Sequence, residues 1–231
     1  MRYSILLVFL LLLSCQEDRS SATAAEGTTV EVANPNSKDD DRTIYRDFNR
    51  DGTPDRLEIV DNPNRDTDGF GMARDLVVYT LMDGAEGEWY RSTTAILPAK
   101  AGGMMGDPFQ GVAYDDARRT IIIRHHGGSR QRWNYEHRFR YRHGEFELIN
   151  ATVDYGTPCL DNEHLEYVLS TGEAIYERST LACDAGEPSG DPVVTDRKGT
   201  MAELDALPAL RSFTPGENEM VFPEGNQTLY Y

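Results

Sequence analysis

Long apolar runs are nearly missing from this 231-residue chain; one stretch of nine, Ile5 to Leu13, stands near its start. A membrane-spanning helix needs about 20 such residues. The run reads instead as the h-region of an export signal, with Met1-Arg2-Tyr3-Ser4 as its charged n-region and Ser14 before the cut. Basic residues are also short, 23 Lys+Arg against 39 Asp+Glu, for a net charge of −16 at pH 7. That balance argues against nucleic acid or an anionic lipid surface as partner of the whole molecule, and it makes cations the natural counter-species. Catalytic signatures are scarce too: the chain has no H-E-x-x-H, CxxC, P-loop or dinucleotide-binding glycine pattern. Gly127-Gly128-Ser129 fails as a nucleophile elbow because Gln131 stands where the last glycine is needed.

Cysteine is rare, with three in all. Leu12-Leu13-Ser14-Cys15 resembles the lipobox of bacterial lipoproteins, although Leu13 departs from the small or β-branched residue often found there. The resemblance implies that residues 1–14 are a signal peptide and that Cys15 is acylated, so that the membrane is met through a lipid anchor. Gln16 replaces the Asp that resembles an inner-membrane retention signal, which favours the outer membrane of the bacterial cell envelope, periplasmic or surface-facing. Cys159 and Cys183 then remain as one pair in a compartment that permits disulfides, and a bridge between them is predicted. From Gln16 to Asp41 the composition is Ser, Thr, Ala, Glu and Asp with little to bury; residues 15–41 read as a lipidated cysteine and a disordered linker. Residues 42–231 are long enough for one well-cored domain.

What the chain does have is a sharp acidic loop. Asp47-Phe48-Asn49-Arg50-Asp51-Gly52-Thr53-Pro54-Asp55-Arg56-Leu57-Glu58 puts oxygen-bearing side chains at positions 1, 3, 5, 9 and 12 and glycine at position 6. A hard ion such as calcium takes about six to eight oxygens, so the backbone must curl around it, with a main-chain carbonyl at position 7. The candidate ligands are therefore Asp47, Asn49, Asp51, Thr53, Asp55 and Glu58, and calcium is the expected cofactor. Pro54 and the strand-like Leu57-Glu58-Ile59-Val60 do not suit the helices of an EF-hand, so the loop is expected to join two strands. The DxNxDGxxD spacing resembles the calcium loops of FG-GAP/VCBS-type repeats, and on that resemblance Asp55 takes the role that Glu58 would have in an EF-hand. A second run, Asn64-x-Asp66-x-Asp68-Gly69 with Asp75, is a weaker version that reads as an Asx-rich turn.

Beyond the loop, period-two alternation predicts a mostly β fold: antiparallel sheets and hairpins in a single domain, sandwich or partial propeller-like. Strands are expected at 57–60, 76–82, 88–97, 119–126, 132–142, 145–154 and 164–176. A short C-terminal helix is expected at Met201–Ala206 from the capping box Thr200-x-x-Glu203, with Pro208 ending it. The clearest hairpin turns at His143-Gly144, which places Arg142 opposite Glu145, Tyr141 opposite Phe146, Arg140 opposite Glu147 and Phe139 opposite Leu148.

Two further stretches, Gly102-Gly103-Met104-Met105-Gly106-Asp107-Pro108-Phe109 and His126-Gly127-Gly128-Ser129-Arg130-Gln131-Arg132-Trp133, together with Phe139-Arg140-Tyr141, resemble a family of uncharacterised bacterial lipoproteins over residues 42 to 180. The chain departs from it at Glu145-Phe146-Glu147-Leu148. The resemblance implies architecture and export and transfers no catalytic residue. A basic run from Arg118 to His143 offers an anion- or glycan-binding patch, and Asp107, Arg124, Arg130, Arg132 and Trp133 form the candidate ligand surface. The expected function is that of a calcium-binding, non-catalytic binding or structural module with a glycan or protein partner. The alternative is an envelope hydrolase acting on glycan or ester through acids in the 102–133 loops, which requires Asp107, His125 and Ser129 to meet in a cleft.

Overall fold

A computed structural model describes residues 41–184, 187–225 and 227–231. The signal peptide 1–14, Cys15 and the linker up to residue 40 lie outside the described residues. Strands β1 (Thr43–Arg46), β2 (Asp55–Asn62), β3 (Ala73–Met82) and β4 (Ala85–Ser92) form a four-stranded antiparallel sheet in chain order. The chain then runs through β5 (Phe109–Asp115), β6 (Thr120–Gly128), β7 (Arg132–Arg142), β8 (Glu145–Thr157), β9 (Asp161–Val168) and β10 (Glu173–Thr180). A short hairpin of β11 (Cys183–Asp184) and β12 (Glu187–Pro188) leads to β13 (Val193–Met201), and β14 (Glu219–Phe222) pairs with β15 (Gln227–Tyr230). The larger sheet has the order β13-β10-β9-β8-β7-β6-β5. Neither sheet closes on itself, and the arrangement is a β sandwich.

Alternation along the strands builds the core. Leu57 and Ile59 of β2 and Leu76 and Val78 of β3 face Ile121, Ile123, Phe139 and Leu148 of the larger sheet in one continuous apolar cluster. Phe146 stands at its aromatic centre, with Tyr90 at 4.9 Å, Tyr141 at 5.0 Å, Trp89 at 5.8 Å and Phe48 at 5.9 Å between ring centroids. Tilted and edge-on ring pairs of this kind contribute about 0.5–1.5 kcal/mol each beyond their buried area. The segment between β13 and β14 adds Leu210 and Phe213 to the same core. It is tied down by the Leu148 amide donating to the Pro208 carbonyl (2.9 Å) and the Ser92 hydroxyl donating to the Leu210 carbonyl (2.6 Å).

The His143-Gly144 hairpin has the expected register, all four pairs included. Three expectations are corrected. Met201–Ala206 is not a helix: Met201 ends β13 opposite Glu173, the Ala202 amide donates to the Gly172 carbonyl, and its own carbonyl accepts the Tyr167 hydroxyl. So short a segment gains little from helical nucleation, and tertiary bonds take its backbone groups. The span 164–176 is two strands, because the Gly172 amide closes a turn onto the Val168 carbonyl and glycine supplies the φ of +82°. The span 88–97 stops being a strand after Ser92. Cys159 and Cys183 form a disulfide with Cα atoms 5.3 Å apart.

Two histidines are buried in the core at 1 % (His125) and 0 % (His137) exposure. Burial pushes the pKa of each down to about 3; the Arg74 charge adds to this at His125, and His125 adds to it at His137. The Leu97 amide donates to His125 Nε2 (3.2 Å), whereas neither ring nitrogen of His137 has a hydrogen-bond partner among the described residues. Below pH 6.5 the unfolded chain therefore binds protons that the folded chain excludes, and stability falls as pH is lowered from 6.5 toward 3. His164 works in the opposite sense. Its hydrogen bond to Asp154 raises its pKa, so its contribution is fully present below pH 6.5 and fades at higher pH. Each buried histidine should remove about 1.4 kcal/mol per pH unit in the acid window. His137→Phe, which places a ring among Tyr135 and Phe213, is expected to keep the fold and to halve the loss between pH 6.5 and 5 in urea titrations. An unchanged loss would mean that His137 protonates in the folded state.

Candidate functional site

The acidic loop joins β1 to β2, as its flanks suggest, and Arg46 pairs with Asp55 at its base. Phe48 is buried among Tyr114 and Phe146 and fastens the loop to the larger sheet. Asp47 shapes the turn: its Oδ1 accepts the amides of Arg50 (2.6 Å) and Asp51 (3.1 Å), and its Oδ2 accepts the amide of Gly52 (3.0 Å). Asn49 Oδ1 accepts the Asp51 amide (2.8 Å), and Asp51 accepts the Thr53 amide (2.8 Å) and the Asn49 side-chain amide (2.8 Å). The bond from Asn49 and then that from the Thr53 amide hold the Asp51 carboxyl below the usual carboxylate range. Gly52 has a φ of +91°, the left-handed bend that position 6 requires.

Asp55 is different, a carboxyl at 0 % exposure that opens β2 beneath the loop. Its Oδ2 accepts the Phe48 amide (2.9 Å), and no hydrogen bond of good geometry reaches its Oδ1 among the described residues, although the Thr80 hydroxyl and the Asn49 amide stand near enough to counter part of the effect of burial. Burial raises its pKa, and the negative charge of Asp51 adds to the rise. An oxygen in that position calls for a proton or a cation. Glu58, by contrast, lies on the other face of β2, three residues beyond Asp55, where it pairs with Arg56. It does not belong to the loop cluster. Among the described residues no three His, Cys, Asp or Glu side chains stand grouped as a metal centre. A cation here would draw on Asp47, Asp51 and Asp55 together with Asn49 and the Thr53 carbonyl. In the second acidic run, Asp75 is committed to Arg91 (2.6 Å) and Arg65 (3.2 Å).

The candidate ligand surface is split by the pleat of the sheet. Arg124 and Arg132 lie on the outer face: Arg124 bonds Glu136 (2.8 Å), and Arg132 is exposed at the start of β7. Trp133, on the opposite face, is stacked on Tyr135 at 4.9 Å. Arg130 is exposed on the β6–β7 turn. Asp107 forms a two-pronged ion pair with Arg74, which is 4 % exposed, and that guanidinium lowers its pKa. Much of the basic run has acidic partners: Arg118 with Asp115, Arg138 with Glu136 and Asp115, and Arg142 with Glu147 diagonally rather than with Glu145 directly across.

The two glycine-rich stretches meet one another. The Gly128 amide donates to the Gly102 carbonyl (2.9 Å) and the His126 amide to the Pro108 carbonyl (2.8 Å). A Cβ on Gly127 would stand 2.3 Å from the Trp133 ring, so these glycines serve close packing. The hydrolase arrangement is not assembled: Asp107 is held by Arg74, His125 Nε2 by the Leu97 amide, and Ser129 sits on an exposed turn with Arg130 and Gln131. No protein-family model, curated protein or solved structure matches the chain.

Because Arg74 is buried, Asp107→Asn should lower stability by about 1–3 kcal/mol, through a guanidinium left with only its longer pair to the half-exposed Asp61 (3.7 Å) as counter-charge. Urea unfolding measures this, and a loss below 0.5 kcal/mol (about the size of an ordinary surface substitution) would mean that water replaces the carboxylate.

Proposed function

We propose that this chain is an exported, lipid-anchored, calcium-binding β module of the bacterial cell envelope, a binding or structural protein without catalysis of its own. The observation that carries the cation reading is the fully buried Asp55 carboxyl, whose Oδ1 lacks a partner at position 9 of the loop. Asp47, Asn49, Asp51 and the Thr53 carbonyl would complete the oxygen set, and a divalent ion would offset the repulsion between Asp51 and Asp55. Its chemistry would be structural: the ion would hold the β1–β2 hairpin against the larger sheet, to which Phe48 already fastens it. The anchor rests on Leu12-Leu13-Ser14-Cys15, and the Cys159–Cys183 disulfide suits an oxidising compartment. The partner to be held is a glycan or a protein.

For exported modules with dissociation constants of about 10⁻⁴–10⁻³ M, 5 mM calcium should stabilise the protein by about 1–2 kcal/mol. That is a rise of a few degrees in Tm for a domain of this size. Asp51→Asn and Asp55→Asn should abolish the rise while melting near the wild type without calcium. A wild-type Tm indifferent to calcium would refute the reading. Separately, Cys15→Ser should move the protein from the detergent-soluble membrane fraction to the aqueous one; retention of the variant in the membrane would exclude Cys15 as the anchor.

A further inference from the structure

We propose that the cleft between the Asp47–Glu58 loop and the adjoining end of the larger sheet binds a small molecule bearing phosphate or carboxylate groups, held by Arg46, Arg50, Arg119 and Arg140. The cleft has a volume of about 430 Å³ and is lined by these four arginines. Ligand sites typically occupy about 300–1,000 Å³. In a chain of net charge −16, four guanidinium groups around one cavity are a local reversal of sign.

The acids nearby offset only part of it: Asp116 pairs with Arg46 (3.0 Å), and Asp47, which accepts three loop amides, is one negative charge against the three remaining guanidinium groups. Among the described residues no carboxylate pairs with Arg50, Arg119 or Arg140. Elsewhere on the same sheet Arg124, Arg138 and Arg142 all have glutamate partners. Arg130, Arg132 and Lys100 also lack a carboxylate partner among the described residues, but no two of them line the same cavity, whereas three such arginines line this one.

One donor is withheld even from water: Arg140 Nε is buried and has no hydrogen-bond partner among the described residues. Leaving such a group unpaired costs about 1–3 kcal/mol, and more when it is charged. An oxyanion suits the guanidinium as a whole, since its planar fork donates paired bonds to carboxylate and phosphate oxygens. Arg50 and Arg119 add a second sign, because both hold φ in the left-handed region, at 66° and 54°. Glycine or asparagine would occupy those turn positions with less strain, so the turns themselves do not call for arginine. Tyr114 and Tyr141 supply flat walls, and the Arg46 guanidinium lies 5.6 Å above the Tyr114 ring. A compact ring bearing the anionic group, such as an acidic or phosphorylated sugar, fits this combination. The site needs no cation in the loop.

The test is a calorimetric titration of the wild-type chain in calcium-free, low-salt buffer, with inorganic phosphate in one arm and glucuronate in the other. Saturable binding at one site per chain by either probe is expected, weakening at least fivefold when salt rises from 20 to 200 mM. A tenfold preference for one probe tells a phosphoryl from a carboxylate ligand. Arg50→Gly combined with Arg119→Gly should weaken binding at least tenfold without lowering Tm, because glycine relieves the left-handed backbone at both turns. Arg178→Ala with Arg197→Ala, which removes exposed arginines on β10 and β13 outside the cleft, should leave binding unchanged. Failure of both probes to saturate, wild-type affinity in the glycine double variant, or an equal loss in the Arg178/Arg197 pair would overturn the proposal.

Discussion

Everything in this domain depends on the burial of two apolar sheet faces against each other, with Phe146 at the point where they meet. Rings from both sheets pack around it: Tyr90 and Trp89 come from the smaller sheet and Tyr141 from the larger. The fourth ring, Phe48, belongs to the acidic loop. A loop with so many carboxylates would ordinarily be held only by its own turn bonds. Here an aromatic anchor ties it to the core, so the placement of Asp47, Asp51 and Asp55 follows from hydrophobic packing as much as from local chemistry.

Charge is arranged around that core by the same period-two rule. On the outer face of the smaller sheet, Arg56 bridges Glu58 and Glu86, while Arg91 bridges Asp75 and Glu88. The larger sheet pairs Arg124 and Arg138 with Glu136. Exposed pairs of this kind are worth little singly, but they consume most of the basic residues. The groups left over are informative for that reason. Asp55 with its orphaned oxygen lies beneath the acidic loop, Arg140 with its buried unpaired donor lines the cleft beside it, and Asp47 belongs to both. A cation reading and an anion reading therefore share one end of the molecule. They rest on different atoms.

How much of this was legible depended on whether the pattern was local. Strand β7 was readable at both ends, Arg132 and Arg142, because its alternation is uninterrupted and a His143-Gly144 turn sets the register that follows. Strand β13 was not, since most of its residues are exposed and it joins the sheet as an edge, held by backbone bonds that leave no apolar signature. The capping box at Thr200 was a sound local signal that lost to tertiary hydrogen bonds at Ala202. Among the loop residues, spacing alone suggested Asp47, Asn49, Asp51 and Asp55 as one set, but it could not exclude Glu58. That exclusion needed the knowledge that β2 begins at Asp55, so that Glu58 turns to the opposite face.

The amino-acid sequence by itself determined the β class, the antiparallel hairpin with its register, the cysteine pairing and the curl of the acidic loop, because each depends on residues close together in the chain or on simple counting. Only the tertiary structure decided which charges are left without partners. Pairing is settled between strands far apart in sequence: Glu136 takes Arg124 and Arg138, Asp107 takes Arg74, and nothing among the described residues reaches Arg50, Arg119 or Arg140. An unpaired charge is defined by everything around it, and that is a property of the packed sandwich rather than of any segment.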